Sequence, residues 1–211
     1  MKNTGRSSSI VILFLFVSAL TAASAQSSAN SRRLIFNKIT SLDGLVDNDI
    51  HYTYETQNGT LVMCTNKGLN IYSNGLTEVY THDPENAYSL PDDSVRFVAG
   101  YVGNDEELRR ALWIGTAKGL CRYDASNDSF VLLHDEEGNT IDATNYEVID
   151  GAIVFVTSDG SIYRLDVVSK EIKLAMRPKK KMNVMKIRRF LSDNQFLLAA
   201  GDDGLIVVNI S

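Results

Sequence analysis

The sequence carries one eight-residue pattern four times, as LVMCTNKG (residues 61–68), LWIGTAKG (112–119), IVFVTSDG (153–160) and LLAAGDDG (197–204). Successive copies start 51, 41 and 44 residues apart. A recurring spacing in this range is typical of solenoids, propellers and other repeat arrays. The repeat therefore indicates the fold class.

Each copy predicts a β-hairpin. Four apolar or small residues lead into a polar turn that ends on glycine, which tolerates the positive φ that closes a hairpin loop of three to four residues. A second apolar run follows every glycine, at residues 69–72, 120–123, 162–165 and 205–210. Flanking segments add strands on either side of each hairpin. The repeat units are predicted at residues 49–80, 94–133, 145–175 and 183–211.

The first strand of each hairpin is apolar at both alternating sets of positions. In the third copy, Ile153 and Phe155 alternate with Val154 and Val156. A sheet with one solvated face would alternate apolar and polar residues, so these strands must be covered on both sides. The blades of a propeller satisfy this because each four-stranded sheet lies between two others. We predict an all-β chain of about four four-stranded propeller blades.

One copy and its surroundings resemble a known family. The stretch LWIGTAKGLCRYD (residues 112–124) is similar to the repeat of the two-component regulator propeller family, which forms the periplasmic sensor region of hybrid two-component histidine kinases. The first copy, LVMCTNKGLNIYS (61–73), carries Cys64 where that motif has glycine. Segments SLDGLVDNDI (41–50) and YTHDPENAYSL (80–90) resemble the start of such a propeller and its connection between blades.

The resemblance implies a ligand sensor whose ligand is an oligosaccharide released from a glycan. Kinase and receiver motifs are absent from this sequence, so we expect a non-catalytic segment that cannot signal alone, in the manner of a truncated sensor. Its expected partners are an oligosaccharide and either another propeller chain or the remaining sensor domains. Two alternatives stay open: a secreted propeller lyase or hydrolase that acts on glycans, and a structural remnant without a function.

The N-terminus has the layout of a secretory signal peptide. Lys2 and Arg6 precede an apolar run of about 11 residues, and Ala23-Ser24-Ala25 supplies small residues for cleavage. The run is too short to span a bilayer, which requires about 20 apolar residues. We predict a signal peptide at residues 1–25, a linker at 26–33, and a periplasmic protein with no membrane span after cleavage.

The strand count leaves the ring size open. The fourth unit has room for three strands, and residues 34–40 read as an unpaired strand that could complete it. Pairing of this strand with the fourth unit would close a four-bladed ring and remove an open sheet edge. An open arc that belongs to a larger propeller, or that another chain completes, is the favoured prediction because the family repeats argue for larger rings.

Charge points to one local feature. The chain has a net charge of −5, and loss of Lys2 and Arg6 with the signal peptide makes the remainder −7, which gives no reason to expect nucleic-acid binding. Against this background, seven cations lie within 13 residues: Arg177, Lys179, Lys180, Lys181, Lys186, Arg188 and Arg189. They are the candidate site for an anionic glycan or an acidic partner surface. The competing interpretation is a solvated loop and an edge strand protected by charge.

Other reactive residues form no recognisable site. The three histidines, His51, His82 and His134, lack the short spacing of a zinc site, and no metal or cofactor is predicted. Both cysteines lie in predicted core strands, so buried free thiols are favoured over a disulfide. Two aromatic residues in repeat strands, Trp113 and Tyr123, are expected in the core. Three aromatic residues in connectors are the better ligand candidates: Tyr88, Tyr101 and Tyr146.

Overall fold

The computed structural model of the chain describes residues 37–100, 111–149, 151–189, 196–201 and 204–209. Within these ranges the chain forms β-strands and one short 3-10 turn, Ser41–Asp43. The strands are β1 (Tyr52–Glu55), β2 (Leu61–Thr65), β3 (Gly68–Ser73), β4 (Leu76–Tyr80), β5 (Val95–Gly100), β6 (Leu112–Thr116), β7 (Gly119–Asp124), β8 (Ser129–Leu132), β9 (Ala143–Ile149), β10 (Ala152–Thr157), β11 (Ile162–Asp166), β12 (Ile172–Met176), β13 (Val184–Arg189), β14 (Phe196–Gly201) and β15 (Gly204–Asn209).

The strands form four antiparallel sheets in chain order. Three sheets have four strands each, β1–β4, β5–β8 and β9–β12, and the described part of the fourth has three, β13–β15. We call these blades 1 to 4. Within each sheet every strand pairs with its neighbours in sequence, and the first strands of successive blades lie against each other. The predicted all-β, propeller-like fold is confirmed.

The repeated glycines close the hairpins, although the first two loops are shorter than expected. Gly68 and Gly119 have φ angles of 137° and 142° and pair with Thr65 and Thr116 in the ladder, so only two residues form each turn. The expected loops of three to four residues are therefore wrong for blades 1 and 2. Blade 3 has a longer loop because Ser161 follows its glycine before the next strand begins.

A threonine at the fifth position of the repeat stabilises each of these turns. Thr65 and Thr116 are fully buried, and their hydroxyls donate to the carbonyls of Gly68 and Gly119 at 2.8 and 2.7 Å. In blade 3 the hydroxyl of Thr157 lies 2.5 Å from a carboxylate oxygen of Asp159 and 3.1 Å from the carbonyl of Ser161. Each turn thus satisfies a polar group that its burial would otherwise leave without a partner.

Three apolar clusters lie between successive blades and explain the strands that are apolar on both faces. In β10, Ile153 and Phe155 belong to the cluster between blades 2 and 3, whereas Val154 and Val156 belong to the cluster between blades 3 and 4. The third cluster, which contains Ile114, lies between blades 1 and 2. The core is thus divided among the blade interfaces, as in a stack of sheets.

Two glycines permit close packing of aromatic rings, one within blade 2 and one between blades 1 and 2. A Cβ on Gly115, in the LWIGT strand, would overlap the ring of Phe97, and a Cβ on Gly100 would overlap the phenol of Tyr54. Both glycines have ordinary φ angles, so space rather than backbone conformation requires them. The glycine of the repeat therefore has a packing role in blade 2.

Connectors are fixed to the hairpin turns by a recurring polar contact. Lys67 in the first turn forms an ion pair with Asp47 at 3.1 Å, and Lys118 in the second turn pairs with Asp92 at 3.3 Å. In blade 3 the hydroxyl of Ser158 donates to Asp142 at 2.5 Å. In each blade, the aspartate precedes the first strand, so the contact ties that connector to its own hairpin.

The face of blade 1 turned away from blade 2 is covered by the segment before β1. Leu45 is buried, and the amide of Val46 donates to the side-chain oxygen of the buried Asn70 at 2.8 Å. The hydroxyl of Thr77 donates to the carbonyl of Asp43 at 2.9 Å. The segment that resembles the family's propeller start therefore packs on the first blade.

The predicted leader, linker and closing strand fall largely outside the described residues. The signal peptide and the linker lie in residues 1–36, as does the first part of segment 34–40, and no strand is assigned at residues 37–40. Ile39–Ser211 forms one compact unit. In the described part of the chain, no helix is long and apolar enough to cross a membrane.

Candidate functional site

The seven predicted cations lie on the connector between blades 3 and 4 and in the first strand of blade 4. Arg177, Lys179, Lys180 and Lys181 lie on the connector between β12 and β13, and all four are exposed. The other three positions, Lys186, Arg188 and Arg189, lie in β13. The basic strip therefore has an exposed connector part and a strand part.

Arg177 already has partners within blade 3. Its guanidinium donates to the hydroxyl of Tyr163, and this hydrogen bond raises the pKa of Arg177. The hydroxyl of Tyr163 donates in turn to Asp135 at 3.3 Å, and the negative charges of Glu137 and Asp159 act on the same guanidinium. Part of the positive charge of Arg177 is thus compensated by neighbouring groups of the same chain.

The strand register separates the remaining cations. Lys186 is paired with Ala200 and Arg188 with Leu198, whereas Arg189 is paired with Leu197. Because strand positions alternate between faces, Lys186 and Arg188 occupy positions of one face and Arg189 a position of the other. Lys179, Lys180 and Lys181 remain as an exposed run of like charge, and a ligand role for the strip stays a prediction.

The aromatic candidates divide into core and surface residues. Trp113 is 1% exposed and belongs to the cluster between blades 2 and 3, so its predicted core position is confirmed. Tyr88 is 65% exposed on its connector. Tyr146 is half-buried and its hydroxyl lies 2.6 Å from that of Tyr52. Tyr101 lies outside the described residues.

A cleft of about 510 Å³ opens between blades 1 and 2, and the sequence analysis did not identify it. Its floor consists of Val62 and Ile71 from blade 1 and Leu112 from blade 2. The register aligns Val62, Ile71 and Glu78 in one row across blade 1, which places the apolar residues beside a carboxylate. The volume lies within the range of about 300–1,000 Å³ typical of small-molecule sites.

Polar groups surround this floor. The turn between β1 and β2 contributes Thr56, Gln57, Asn58 and Thr60, and the opposite wall is formed by Tyr123 and Ala125 of blade 2. Tyr123 also packs against the apolar cluster between the two blades. Tyr123 therefore packs on the core with one side, as predicted, and lines the cleft with the other.

Two tyrosine hydroxyls converge on one carboxylate beside the cleft. The hydroxyls of Tyr80 and Tyr123 donate to Asp128 at 2.8 and 2.9 Å and lie 3.2 Å from each other. The hydroxyl of Tyr80 also lies 3.3 Å from Glu78. Burial raises the pKa of both tyrosines, and the charge of Asp128 adds to the effect. Both phenols therefore remain protonated donors at neutral pH.

The two cysteines are free and buried, as predicted. Both belong to the cluster between blades 1 and 2. Burial raises the pKa of Cys64 to about 12 and also raises the pKa of Cys121. Because the thiolate is the nucleophilic form, neither residue is suited to covalent catalysis or metal binding in this environment.

The histidines have structural contacts. A ring nitrogen of His51 lies 2.5 Å from the carbonyl of Val95, and one of His82 lies 2.7 Å from the carbonyl of Leu90. His134 forms a backbone bridge with Thr140. Among the described residues, no group of three or more His, Cys, Asp or Glu side chains is arranged to hold a metal ion.

Comparison with solved structures extends the fold assignment. The chain is similar to the extracellular domain of BT3049, described as a hybrid two component system from B. thetaiotaomicron, with 17% identity and a TM-score of 0.53 over 88% of this chain and 29% of that one. It is also similar to the extracellular domain of BT4673 from the same organism, with 19% identity and a TM-score of 0.59 over 76% of this chain and 21% of that one.

A third similar structure is the computationally designed protein Ika4, with 15% identity and a TM-score of 0.57 over 84% of this chain and 100% of that one. No family model matches the sequence, and no curated protein matches it. The chain spans about a quarter of the length of the two bacterial extracellular domains. At these identities the similarity establishes the fold.

Proposed function

We propose that the chain is an exported, non-catalytic propeller segment of the two-component regulator type that binds an oligosaccharide as part of a sensor. The main support is the similarity of its blades to two extracellular domains of hybrid two component systems. The LWIGTAKGLCRYD repeat supports the same role by resemblance. Export is supported by the signal-peptide pattern at residues 1–25, with cleavage after Ala25 into the periplasm.

For the ligand, we propose an oligosaccharide that carries carboxylate or sulfate groups. Lys179, Lys180 and Lys181 are exposed and consecutive, and none of them has an ion pair with another described residue. Such a run attracts polyanions even on a chain of net negative charge, and the attraction weakens as salt is added. Lys186, Arg188 and Arg189 lie in the strand that follows and, with Arg177, are the remaining cations of the predicted strip, but the proposed site is the lysine run.

The experiment compares binding of a sulfated and a uronic-acid oligosaccharide by the secreted full chain and by a Lys179→Glu/Lys180→Glu/Lys181→Glu variant. The matched control is Lys38→Glu/Lys170→Glu/Lys173→Glu, which changes net charge equally at three other exposed lysines. We expect only the first variant to lose binding by about tenfold or more, with an affinity that falls as salt rises. Equal losses in both variants would show a non-specific charge effect and would exclude the lysine run as the site.

A further inference from the structure

The cleft between blades 1 and 2 has a chemistry unlike that of the lysine run. Its floor is apolar, formed by Val62, Ile71 and Leu112, and its wall carries the carboxylate of Glu78. No basic side chain lines the cleft among the described residues. An anionic oligosaccharide attracted by the lysines would meet an uncompensated negative charge here. The two surfaces therefore differ in charge.

The hydrogen bonding beside the cleft leaves Glu78 with spare acceptor capacity. Tyr80 and Tyr123 donate to Asp128 at 2.8 and 2.9 Å. The contact of Glu78 with a described donor is the longer one from the hydroxyl of Tyr80, at 3.3 Å, and two carboxylate oxygens can accept more than this one hydrogen bond. A carboxylate accepts hydrogen bonds and cannot donate one. Glu78 is thus a charged acceptor that a ligand donor can use.

Charge compensation is also missing at this edge of the blades. In the part of the chain that the structure describes, neither Glu78 nor Asp128 forms an ion pair with Lys or Arg. The ring of Tyr123 forms one wall, and aromatic rings attract cations through their negative faces. The carboxylate of Glu78 and the aromatic side chain of Tyr123, beside an apolar floor, favour a cationic ligand with an apolar stem.

We propose that this cleft binds an organic ammonium ligand, with its charged head at Glu78 and its hydrocarbon stem on the partly exposed side chains of Ile71 and Tyr123. Apolar stems of long cationic groups pack on apolar surface while the head stays close to polar partners. The turn that lines one side of the cleft is held by its own hydrogen bonds, because the hydroxyl of Thr56 donates to the side-chain oxygen of Asn58 and accepts from the amide of Thr60 at 3.1 Å. This site is independent of the proposed oligosaccharide site, so either can be rejected without the other.

Three probes with the same five-carbon stem test the charge preference. Cadaverine is a dication, 1,5-pentanediol is neutral and glutarate is a dianion. Titrated into the secreted full chain by calorimetry, cadaverine should bind at least about fivefold more tightly than the diol, and glutarate should not bind. Cadaverine binding should weaken at high salt because the head group is only partly shielded from water. Equal affinity for the diol, or no cadaverine binding, would overturn the proposal.

Variants locate the site. Glu78→Gln keeps the size of an exposed side chain and removes its charge, and it should weaken cadaverine binding about fivefold or more. Glu85→Gln, at an exposed connector position, is the matched control and should leave binding unchanged. Ile71→Ala should weaken cadaverine and the diol together because both use this partly exposed apolar side chain. An unchanged affinity in Glu78→Gln with an intact unfolding transition would remove Glu78 from the site.

Discussion

The hydroxyl of Tyr52 lies 2.6 Å from the hydroxyl of Tyr146, and this contact joins the first strand of blade 1 to the first strand of blade 3. The two rings meet edge to face, with centroids 6.4 Å apart. Phe97, from the first strand of blade 2, lies 5.1 Å from the ring of Tyr146. The first strands of three successive blades therefore converge on one aromatic cluster.

Removing this contact should weaken the whole stack of blades. Tyr146→Phe deletes one hydroxyl together with its hydrogen bond to Tyr52 and should lower the free energy of unfolding by about 1 kcal/mol. Tyr88→Phe removes a hydroxyl from a mostly exposed ring and should change stability by less than about 0.5 kcal/mol. Urea unfolding of both variants measures the difference. Equal effects would mean that the Tyr52 contact does not stabilise the protein.

The same contact predicts a loss of stability in alkali. Burial raises the pKa of Tyr146 above its ordinary value of 10, with the Tyr52 hydrogen bond as a further cause. Above about pH 10 the unfolded chain loses this proton while the folded chain keeps it, so the free energy of unfolding falls as pH rises. The contribution is fully present below pH 10. Unfolding followed from pH 8 to 11 should show a shallower fall in Tyr146→Phe than in the wild type, and identical slopes would contradict the assignment.

Both thiols should be unreactive in the folded protein. Cys64 and Cys121 are buried and their pKa values are raised, so at pH 8 neither exposes a thiolate to a reagent. Ellman's reagent should detect no thiol in the native chain and two after unfolding in urea without reductant. Detection of none after unfolding would indicate a disulfide, and immediate reaction of the native chain would show that the interface between blades 1 and 2 is open.

The buried threonine of the hairpin turn should stabilise the protein more than its β-strand propensity alone predicts. Thr116→Val removes the buried hydrogen bond to the Gly119 carbonyl and should cost about 1–2 kcal/mol, although valine favours strands. Thr53→Val, at an exposed position of β1, provides the control and should be neutral or slightly stabilising. Denaturant midpoints at equal slope give the comparison. A neutral Thr116→Val would show that the turn does not depend on this hydroxyl.

Substitutions of Gly115, the glycine of LWIGT, and of Phe97 should have coupled effects on stability. Gly115→Ala places a methyl group on Phe97 and should destabilise the protein by about 1–3 kcal/mol. Adding Phe97→Leu should recover part of this loss, so that the double variant is more stable than the sum of the single effects predicts. Strict additivity in a double-mutant cycle would contradict a steric role for Gly115.

The fold could be predicted because its determinants are local in sequence. Alternating apolar positions such as Ile153 and Val154 are assigned to different interfaces by strand geometry alone, and the recurring glycines mark the turns. The two-residue length of the first turns was missed because Gly68 and Gly119 take part in the ladder as well as in the turn. Propensity alone does not distinguish these roles.

The cleft could not be predicted because its parts meet only in three dimensions. Val62 and Leu112 belong to different blades, and Tyr80 reaches Asp128 across 48 positions of sequence. Asp128 itself has a φ of 50°, a turn conformation that no nearby glycine indicates. The basic strip shows what sequence proximity leaves out: Arg177 and Lys179 are close in sequence, yet Arg177 is hydrogen-bonded to Tyr163 and Lys179 is exposed. A ligand role for the strip stays a prediction.

Oligosaccharide binding by the secreted full chain is the most direct test of the proposed function. We would titrate a neutral, a uronic-acid and a sulfated oligosaccharide by calorimetry and use the fluorescence of Trp113, the only tryptophan, to verify the interface between blades 2 and 3. The account predicts saturable binding of an anionic oligosaccharide that weakens as salt rises. Absence of binding to all three by a chain with an intact, cooperative unfolding transition would contradict it.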